Sequence, residues 1–123
     1  MKSITKAEEQ VMLALWKLGK GFLKDVTDAC PEPKPHPNTV ATVLKILITK
    51  HYVDFEVHGR NNLYKPKISK SEYGKKTATQ LVKGYFENSP AKLVSQFVSD
   101  NKISLSELEE LLQQVKSSKN QQP

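Results

Sequence analysis

Every second residue from Pro31 to Pro37 is a proline, and this run divides the amino-terminal part of the chain into two stretches. Proline lacks a backbone N–H and clashes with the preceding turn, so a helix cannot continue through such a run. The stretch just before it, Phe22 to Ala29, carries Leu23 and Val26 on one side. This spacing predicts a short helix that the prolines terminate, followed by a connector and a new element.

Another helix is predicted ahead of this short one. Thr5 and Glu8 have the spacing of a capping box, in which each side chain binds the backbone N–H of the other residue. Apolar residues then recur at helical spacing as far as Gly19, which is a typical helix end. They are Ala7, Val11, Met12, Leu15, Trp16 and Leu18.

The segment after the prolines, from Asn38 to about His51, predicts a third helix. Its apolar residues have the spacing of one buried helix face; they are Val40, Val43, Leu44, Leu47 and Ile48. Their β-branched content would also suit a strand, but the length of the segment favours a helix. Two starts remain open, because either Asn38 caps the helix, or His36 caps it with Pro37 in the first turn.

Residues 52–65 predict a two-stranded hairpin. Tyr52 to Val57 alternates, His58-Gly59-Arg60-Asn61 has the composition of a turn, and Asn62 to Lys65 alternates again before Pro66. An isolated hairpin is only marginally stable in water, so this one must pack on the preceding helices. Three helices followed by a hairpin is the order of a winged helix-turn-helix, which we assign to residues 1–68.

Three further helices are predicted by the start signals at Ser69 with Glu72, at Ser89 with Pro90, and at Ser104 with Glu107. Their apolar faces exceed what a finished winged domain can cover, and a second copy of the chain is the simplest partner. We therefore predict a mainly α fold in which residues 69–116 form a helical dimerisation region, followed by a disordered polar tail at residues 117–123. The predicted dimer contacts are Leu93, Val94, Phe97, Leu105, Leu108, Leu111 and Leu112.

The charge balance favours a polyanionic partner, nucleic acid or an anionic membrane surface, because 19 Lys and Arg against 13 Asp and Glu give a net charge of +6. No apolar run approaches the roughly 20 residues of a membrane span, and the first residues lack the apolar stretch of a signal peptide, so a cytoplasmic location is expected. Cys30 is the only cysteine, and His36, His51 and His58 lack the spacing of a metal site. We predict neither an enzyme nor a metal or small-molecule cofactor.

The predicted third helix has a face of short polar side chains opposite its apolar face. Such side chains can approach base edges in a DNA major groove without bulk. The hairpin turn would be a wing, with Arg60 on a phosphate or in a minor groove and Gly59 allowing the turn. The predicted DNA contacts are Asn38, Thr39, Ala41, Thr42, Lys45, His58, Arg60 and Asn61. An ordinary solvated surface has the same residue types, so a winged-helix protein-interaction module that does not read DNA is the alternative.

In order and spacing, these motifs resemble the penicillinase-repressor family of bacteria, the BlaI/MecI regulators. The resemblance implies a homodimeric repressor that binds a palindromic double-stranded DNA operator through a winged helix. It places Thr39 and Thr42 on the DNA-facing side of the recognition helix and Gly59-Arg60 on the wing. The matching residues span nearly the whole chain: Thr5-Lys6-Ala7-Glu8, Val11-Met12, Leu15-Trp16, Thr39-Val40, Thr42, Leu44, Gly59-Arg60, Tyr64, Pro66, Glu72-Tyr73, Leu93-Val94, Phe97, and Leu105 to Leu111.

The chain departs from that family at positions that concern regulation and specificity. In the antibiotic-resistance members a membrane sensor-protease system leads to cleavage of an Asn-Phe bond in the dimerisation region, and the matching pair here is Gln96-Phe97. An arginine often seen in the recognition helix is Ala41 here, and the carboxy-terminal cysteine cluster of the copper-responsive relatives is absent. The resemblance thus leaves the operator sequence open. It makes Gln96-Phe97 the candidate bond for release by proteolysis, which we expect rather than release by a small ligand in the winged domain; a constitutive repressor, or one released by another signal, is the alternative.

Overall fold

The computed structural model describes residues 2–120, which form six helices and one two-stranded antiparallel sheet. Helices α1 (Lys6–Leu18), α2 (Leu23–Ala29) and α3 (Pro37–Thr49) precede strands β1 (Val53–His58) and β2 (Asn61–Pro66). Helices α4 (Lys70–Tyr85), α5 (Pro90–Ser99) and α6 (Leu105–Asn120) follow. The chain divides into two compact units, Met1–Lys75 and Lys76–Pro123. The predicted mainly α fold is confirmed.

The start and end of α1 are those that the sequence predicts. Thr5 Oγ1 accepts a hydrogen bond from the Glu8 backbone N at 3.2 Å, and Glu8 Oε1 accepts one from the Thr5 backbone N at 3.2 Å. Gly19 follows the helix with a φ of 84°, in the left-handed region that side chains with a Cβ rarely adopt. The capping box and the glycine stop therefore set the length of α1.

Of the two starts that the sequence left open for α3, the structure has the earlier one. His36 is the N-cap, its ring Nδ1 accepts a hydrogen bond from the Asn38 backbone N at 3.1 Å, and Pro37 is the first helical residue. The fixed φ of proline suits this position, and its missing N–H would have no partner within the helix.

The hairpin has a two-residue loop, Gly59-Arg60, between the paired residues His58 and Asn61. Gly59 has a φ of 63°, as the first loop residue of a type II′ turn requires. A third short strand segment, which the sequence analysis did not predict, is formed by Gly21. Its backbone N donates to the Tyr64 carbonyl at 3.0 Å, and its carbonyl accepts from the Tyr64 N at 2.8 Å. This bridge attaches the hairpin to the segment between α1 and α2, which completes a winged helix.

The core of the first unit lies between the three helices and the start of β1, and its largest fully buried side chains include Tyr52, Met12, Leu15, Leu44 and Leu47. Trp16 covers its edge: the indole Nε1 donates to the Ile68 carbonyl at 2.8 Å, and the ring centroid is 5.5 Å from that of Tyr73. Tyr73 also contacts Tyr52 edge to face at 6.0 Å. These contacts place the first turn of α4 in the first unit, which therefore extends beyond residue 68.

The second unit, by contrast, has almost no buried apolar residue of its own. Val82 is the one buried hydrophobic side chain among its described residues, whereas Leu105 is 72% exposed and Leu112 54% exposed. Helix α6 continues to Asn120, so the prediction of disorder is wrong for residues 117–120, while residues 121–123 lie outside the described residues. Extending a helix that already exists adds a backbone hydrogen bond for each residue ordered, so a polar composition alone does not end α6 at residue 116.

Candidate nucleic-acid interface

Helix α3 has two sharply different sides. Its inner side is buried in the core of the first unit and consists of Val40, Val43, Leu44 and Leu47. On the outer side Asn38, Thr39, Thr42 and Lys45 are exposed, and Ala41 is half-buried between the two sides. Because the core holds the inner side, the outer side presents these residues in a fixed order on a rigid helix.

The hydroxyl of Thr42 is already oriented by its own helix. Its Oγ1 donates to the Asn38 carbonyl at 3.0 Å, so the oxygen lone pairs and the methyl group remain available on the outer side. Thr49 repeats this arrangement two turns later, donating to the Lys45 carbonyl at 3.1 Å. Thr42 can thus accept a hydrogen bond from a base amino group or contact a thymine methyl group.

The outer side also contains Ile46, which the sequence analysis did not single out. Ile46 follows Thr42 by four residues and Thr39 by seven, and its side chain is 38% exposed. That spacing places all three on one helix face, so the signal was present in the sequence. An apolar side chain there can contact thymine methyl groups.

The predicted wing residues lie at the hairpin turn, with Arg60 and Asn61 exposed beside Gly59. His58 is held more firmly than the sequence indicates. Its ring packs edge to face on Phe22 with centroids 5.8 Å apart, and its Nε2 lies 3.4 Å from Glu56 Oε2. The structure therefore places His58 directly before the turn, supported by the segment before α2, and leaves Arg60 in the turn itself.

The basic residues between positions 34 and 65 are not equally available to a phosphate. Lys50 Nζ is 2.6 Å from Glu8 Oε1, and Lys65 Nζ is 2.9 Å from Glu56 Oε1. The lysine beside Glu56 lowers the pKa of that carboxyl group, and the carboxylate in turn raises the pKa of Lys65. Each of these two lysines thus has a carboxylate partner within the chain, largely buried for Lys50 and on the surface for Lys65.

Lys34 Nζ also has a partner within the chain, because it donates a hydrogen bond to the backbone carbonyl of Asp28. Within residues 2–120, by contrast, Lys45 and Arg60 have no ion-pair partner. One lies on the outer side of α3 and the other at the wing tip, so each element has one cation available to a phosphate.

The predicted dimer contacts all lie in the second unit. Most of their side chains are exposed, for example Val94 at 40% and Phe97 at 39%, whereas Leu93 and Leu108 are half-buried. The Gln96-Phe97 bond lies inside α5, where Gln96 Nε2 donates to the Asp100 carboxylate at 3.1 Å. None of residues 90–99 is buried.

The three histidines lie in three different places: His36 caps α3, His51 follows α3 with a φ of 68°, and His58 belongs to the wing. No group of three or more side chains that could hold a metal ion occurs in the described part of the chain. None of the helices within residues 2–120 is both long enough and apolar enough to cross a membrane.

Comparison with known proteins gives a consistent result. The family model of the penicillinase repressor matches residues 4–117. A penicillinase repressor from Bacillus licheniformis is 26% identical over 118 residues, which are 95% of this chain and 92% of that protein.

Solved structures are similar to this chain as well. The DNA-binding domain of the repressor BlaI, known from a solution structure, superimposes with a TM-score of 0.51 at 31% identity, over 59% of this chain and 94% of that domain. A structure of Bordetella bronchiseptica BpsR matches with a TM-score of 0.50 at 18% identity, over 97% of this chain and 77% of that chain. This second likeness concerns the fold alone.

Proposed function

The chain belongs to the penicillinase repressor family, and from this membership we propose that it represses transcription by binding a palindromic DNA operator as a homodimer, without enzymatic activity. The observation that carries the proposal is the outer side of α3, where short polar side chains stand on a helix whose other side is buried in the core. As a repressor of bacterial genes it would act in the cytoplasm, where the DNA is.

In this proposal α3 lies in the major groove with its first turns against the bases. Asn38, Thr39 and Thr42 would contact base edges, and Lys45 would bind a phosphate. Arg60 at the wing tip would bind a second phosphate or enter the adjacent minor groove. Ala41, at the edge of the outer side, adds little bulk and lets the helix backbone approach the groove.

The second unit would provide the dimer contact. Its exposed apolar side chains need a cover, and a second copy of the same face supplies one through two-fold symmetry. Two α3 helices related by that symmetry read the same sequence on opposite strands, and for this reason the operator would be palindromic. Linking two weak half-site contacts in one particle raises the overall affinity.

Relief of repression would follow from cleavage at Gln96-Phe97, with a membrane sensor-protease system as the candidate partner. A protease binds its substrate in an extended form, so α5 must first unwind around this bond. Within a single chain α5 has no buried residue, so the proposed dimer contact is the main packing that opposes this unwinding. A cut there would divide the dimer surface, and the separated winged units would each hold only one half-site.

Selection of bound sequences from a random duplex pool, followed by salt titration on the selected site, tests the proposed function. A repressor of this kind enriches a palindrome, and its affinity falls steeply with salt because bound phosphates release counterions. Failure to enrich any sequence, together with weak binding that is insensitive to salt, would favour a protein-interaction module instead.

A further inference from the structure

A cavity of about 480 Å³ opens beside the recognition helix in the first unit. The proline connector forms one wall with Pro33 and Pro35, α1 forms another with Ala7 and Val11, and the first turns of α3 form the third. Ligand sites for small molecules have volumes of about 300–1,000 Å³. The cavity therefore has room for a molecule of two fused rings.

Most of its lining is apolar. Val11, Val40 and Val43 contribute methyl groups, and the buried Cys30 contributes its thiol. Burial raises the pKa of the Cys30 thiol, so the sulfur is an uncharged wall at neutral pH. Cys30 Sγ also donates to the Val26 carbonyl at 3.3 Å, which satisfies its one donor. These walls favour a hydrocarbon body.

The rim of the cavity, in contrast, carries charge. The Lys6 side chain is exposed and has no ion-pair partner among residues 2–120. The lining also includes the first turns of two helices, Lys6-Ala7 of α1 and Thr39-Val40 of α3, whose amino-terminal ends carry partial positive charge. Glu32 is the one acidic residue of the lining, and its Oε2 accepts from the Lys34 backbone N at 3.3 Å. Lys6 and Glu32 cancel in formal charge, and Glu8 and Glu9 already occupy the first turn of α1, whereas the first turn of α3 has no acidic residue. The positive end of α3 therefore leaves the rim with a small preference for a negative charge beside Lys6.

From these features we propose that the cavity is an effector site for a small carboxylic acid with an apolar ring system. The ring system would lie between the valines, and the carboxylate would face Lys6 at the rim. Thr39 belongs both to the cavity wall and to the outer side of α3. A molecule wedged between α1 and the first turn of α3 would displace Thr39 and weaken binding of the operator, a consequence that rests on the proposed function.

Direct binding is tested with 2-naphthoate on the full-length chain, with 2-naphthylmethanol as the uncharged control. Methyl NMR should show saturable shifts of Val11, Val40 and Val43, with affinity for the carboxylate a few-fold higher, as expected for one exposed ion pair. Lys6→Gln should remove that difference, and Glu32→Gln should increase it. Equal affinity for both probes would exclude a carboxylate site.

Occlusion of the cavity gives a second, independent readout. Ala7→Phe places a ring at an exposed helix position inside the cavity, whereas Ala78→Phe adds the same ring outside its lining. We expect Ala7→Phe to abolish the methyl shifts and Ala78→Phe to leave them unchanged. Shifts that persist in Ala7→Phe would overturn the site.

The effect on DNA separates this inference from the proposed function. Addition of 2-naphthoate should weaken operator binding by the unmodified chain but not by Ala7→Phe. Binding of 2-naphthoate without a change in operator affinity would overturn the role as an effector site. A chain that binds no operator in the absence of 2-naphthoate would instead refute the proposed function, whatever the methyl shifts show.

Discussion

Lys50 Nζ lies 2.6 Å from Glu8 Oε1, which connects the carboxyl end of α3 to the first turn of α1. The two side chains are only 20% and 8% exposed. Lys50 Nζ also donates to the Ser3 carbonyl at 3.1 Å, and Glu8 closes the capping box with Thr5. One ammonium group therefore holds the chain before α1, the start of α1 and the end of α3 together.

Removal of this ammonium group is predicted to destabilise the first unit. We expect Lys50→Met to lower the free energy of unfolding by about 1–2 kcal/mol, less than for a fully buried pair because Lys50 remains partly hydrated. Urea denaturation measures the change. Lys65→Met is the matched control, since it removes an ion pair of similar length between largely exposed side chains, and it should hardly move the midpoint. Equal losses of unfolding free energy in both variants would show that the Glu8–Lys50 ion pair stabilises the fold no more than the exposed pair does.

The same contact predicts an acid-dependent loss of stability. The hydrogen bond from Lys50 lowers the pKa of Glu8 below its ordinary value of 4.5. The folded state thus favours the ionised carboxyl group, so the stabilisation is complete above pH 4.5 and is lost as the pH falls through the lower pKa of the folded state. The difference in unfolding free energy between the unmodified chain and Glu8→Gln should therefore shrink on acidification from pH 7 to pH 3. A constant difference would refute the prediction.

Thr42→Ala and Arg60→Ala are predicted to damage DNA binding in different ways. Loss of a base-facing group should cost about 1–3 kcal/mol, mainly on the cognate operator, whereas loss of a phosphate contact should weaken binding to all sequences and reduce the salt slope by about one unit. Fluorescence anisotropy with cognate and random duplexes at several salt concentrations measures both.

Thr49→Ala is the control for Thr42→Ala, because both threonines are exposed on α3 and make the same backbone hydrogen bond. Thr49 lies two turns further from the start of the helix, and its replacement should leave operator affinity unchanged. If Thr42→Ala and Thr49→Ala weakened binding equally, a general effect on the helix would explain the loss and the base-facing role of Thr42 would be wrong.

The proposed dimer predicts a specific response to one charge on α6. Leu112→Glu removes two leucines from a two-fold interface, and at about 1.5–3 kcal/mol each the dimer Kd should rise on the order of 100-fold or more. Gln113→Glu adds the same charge at the next position, outside the proposed contact, and should leave the Kd nearly unchanged. Sedimentation equilibrium measures both values. A dimer that persists unaltered in Leu112→Glu would show that α6 does not form the interface.

Proteolytic relief predicts a defined fragment in the cell. In bacteria in which the repressed gene is being induced, mass spectrometry of the repressor should show a fragment that ends at Gln96 as transcription begins. Gln96→Ala retains a good helix former but alters the residue before the cleaved bond, and should prevent both events. Ser95→Ala is the neighbouring control and should allow both. Derepression with only the full-length chain present would exclude this route.

Local sequence signals were sufficient for most of the secondary structure. The capping box of Thr5 and Glu8, the proline run and the apolar spacing of α3 each act within a few residues, so they operate in any compact fold of this chain. The outer side of α3 followed from the same spacing, because burial of one helix face exposes the opposite one. Even Ile46 could have been placed there by counting residues.

Contacts between residues far apart in sequence were decided only by the tertiary structure. No local pattern indicates that Gly21 bridges Tyr64. Nor does any indicate that Lys50 and Lys65 form ion pairs with Glu8 and Glu56, whereas Lys45 and Arg60 form none within residues 2–120. Such pairings depend on how helices and strands pack, and therefore on the distances that packing sets. The sequence by itself determined that one side of α3 presents polar side chains to the solvent. Packing of the helices and strands decided which cations remain available to a phosphate there, and it shaped the cavity beside the first turn of α3.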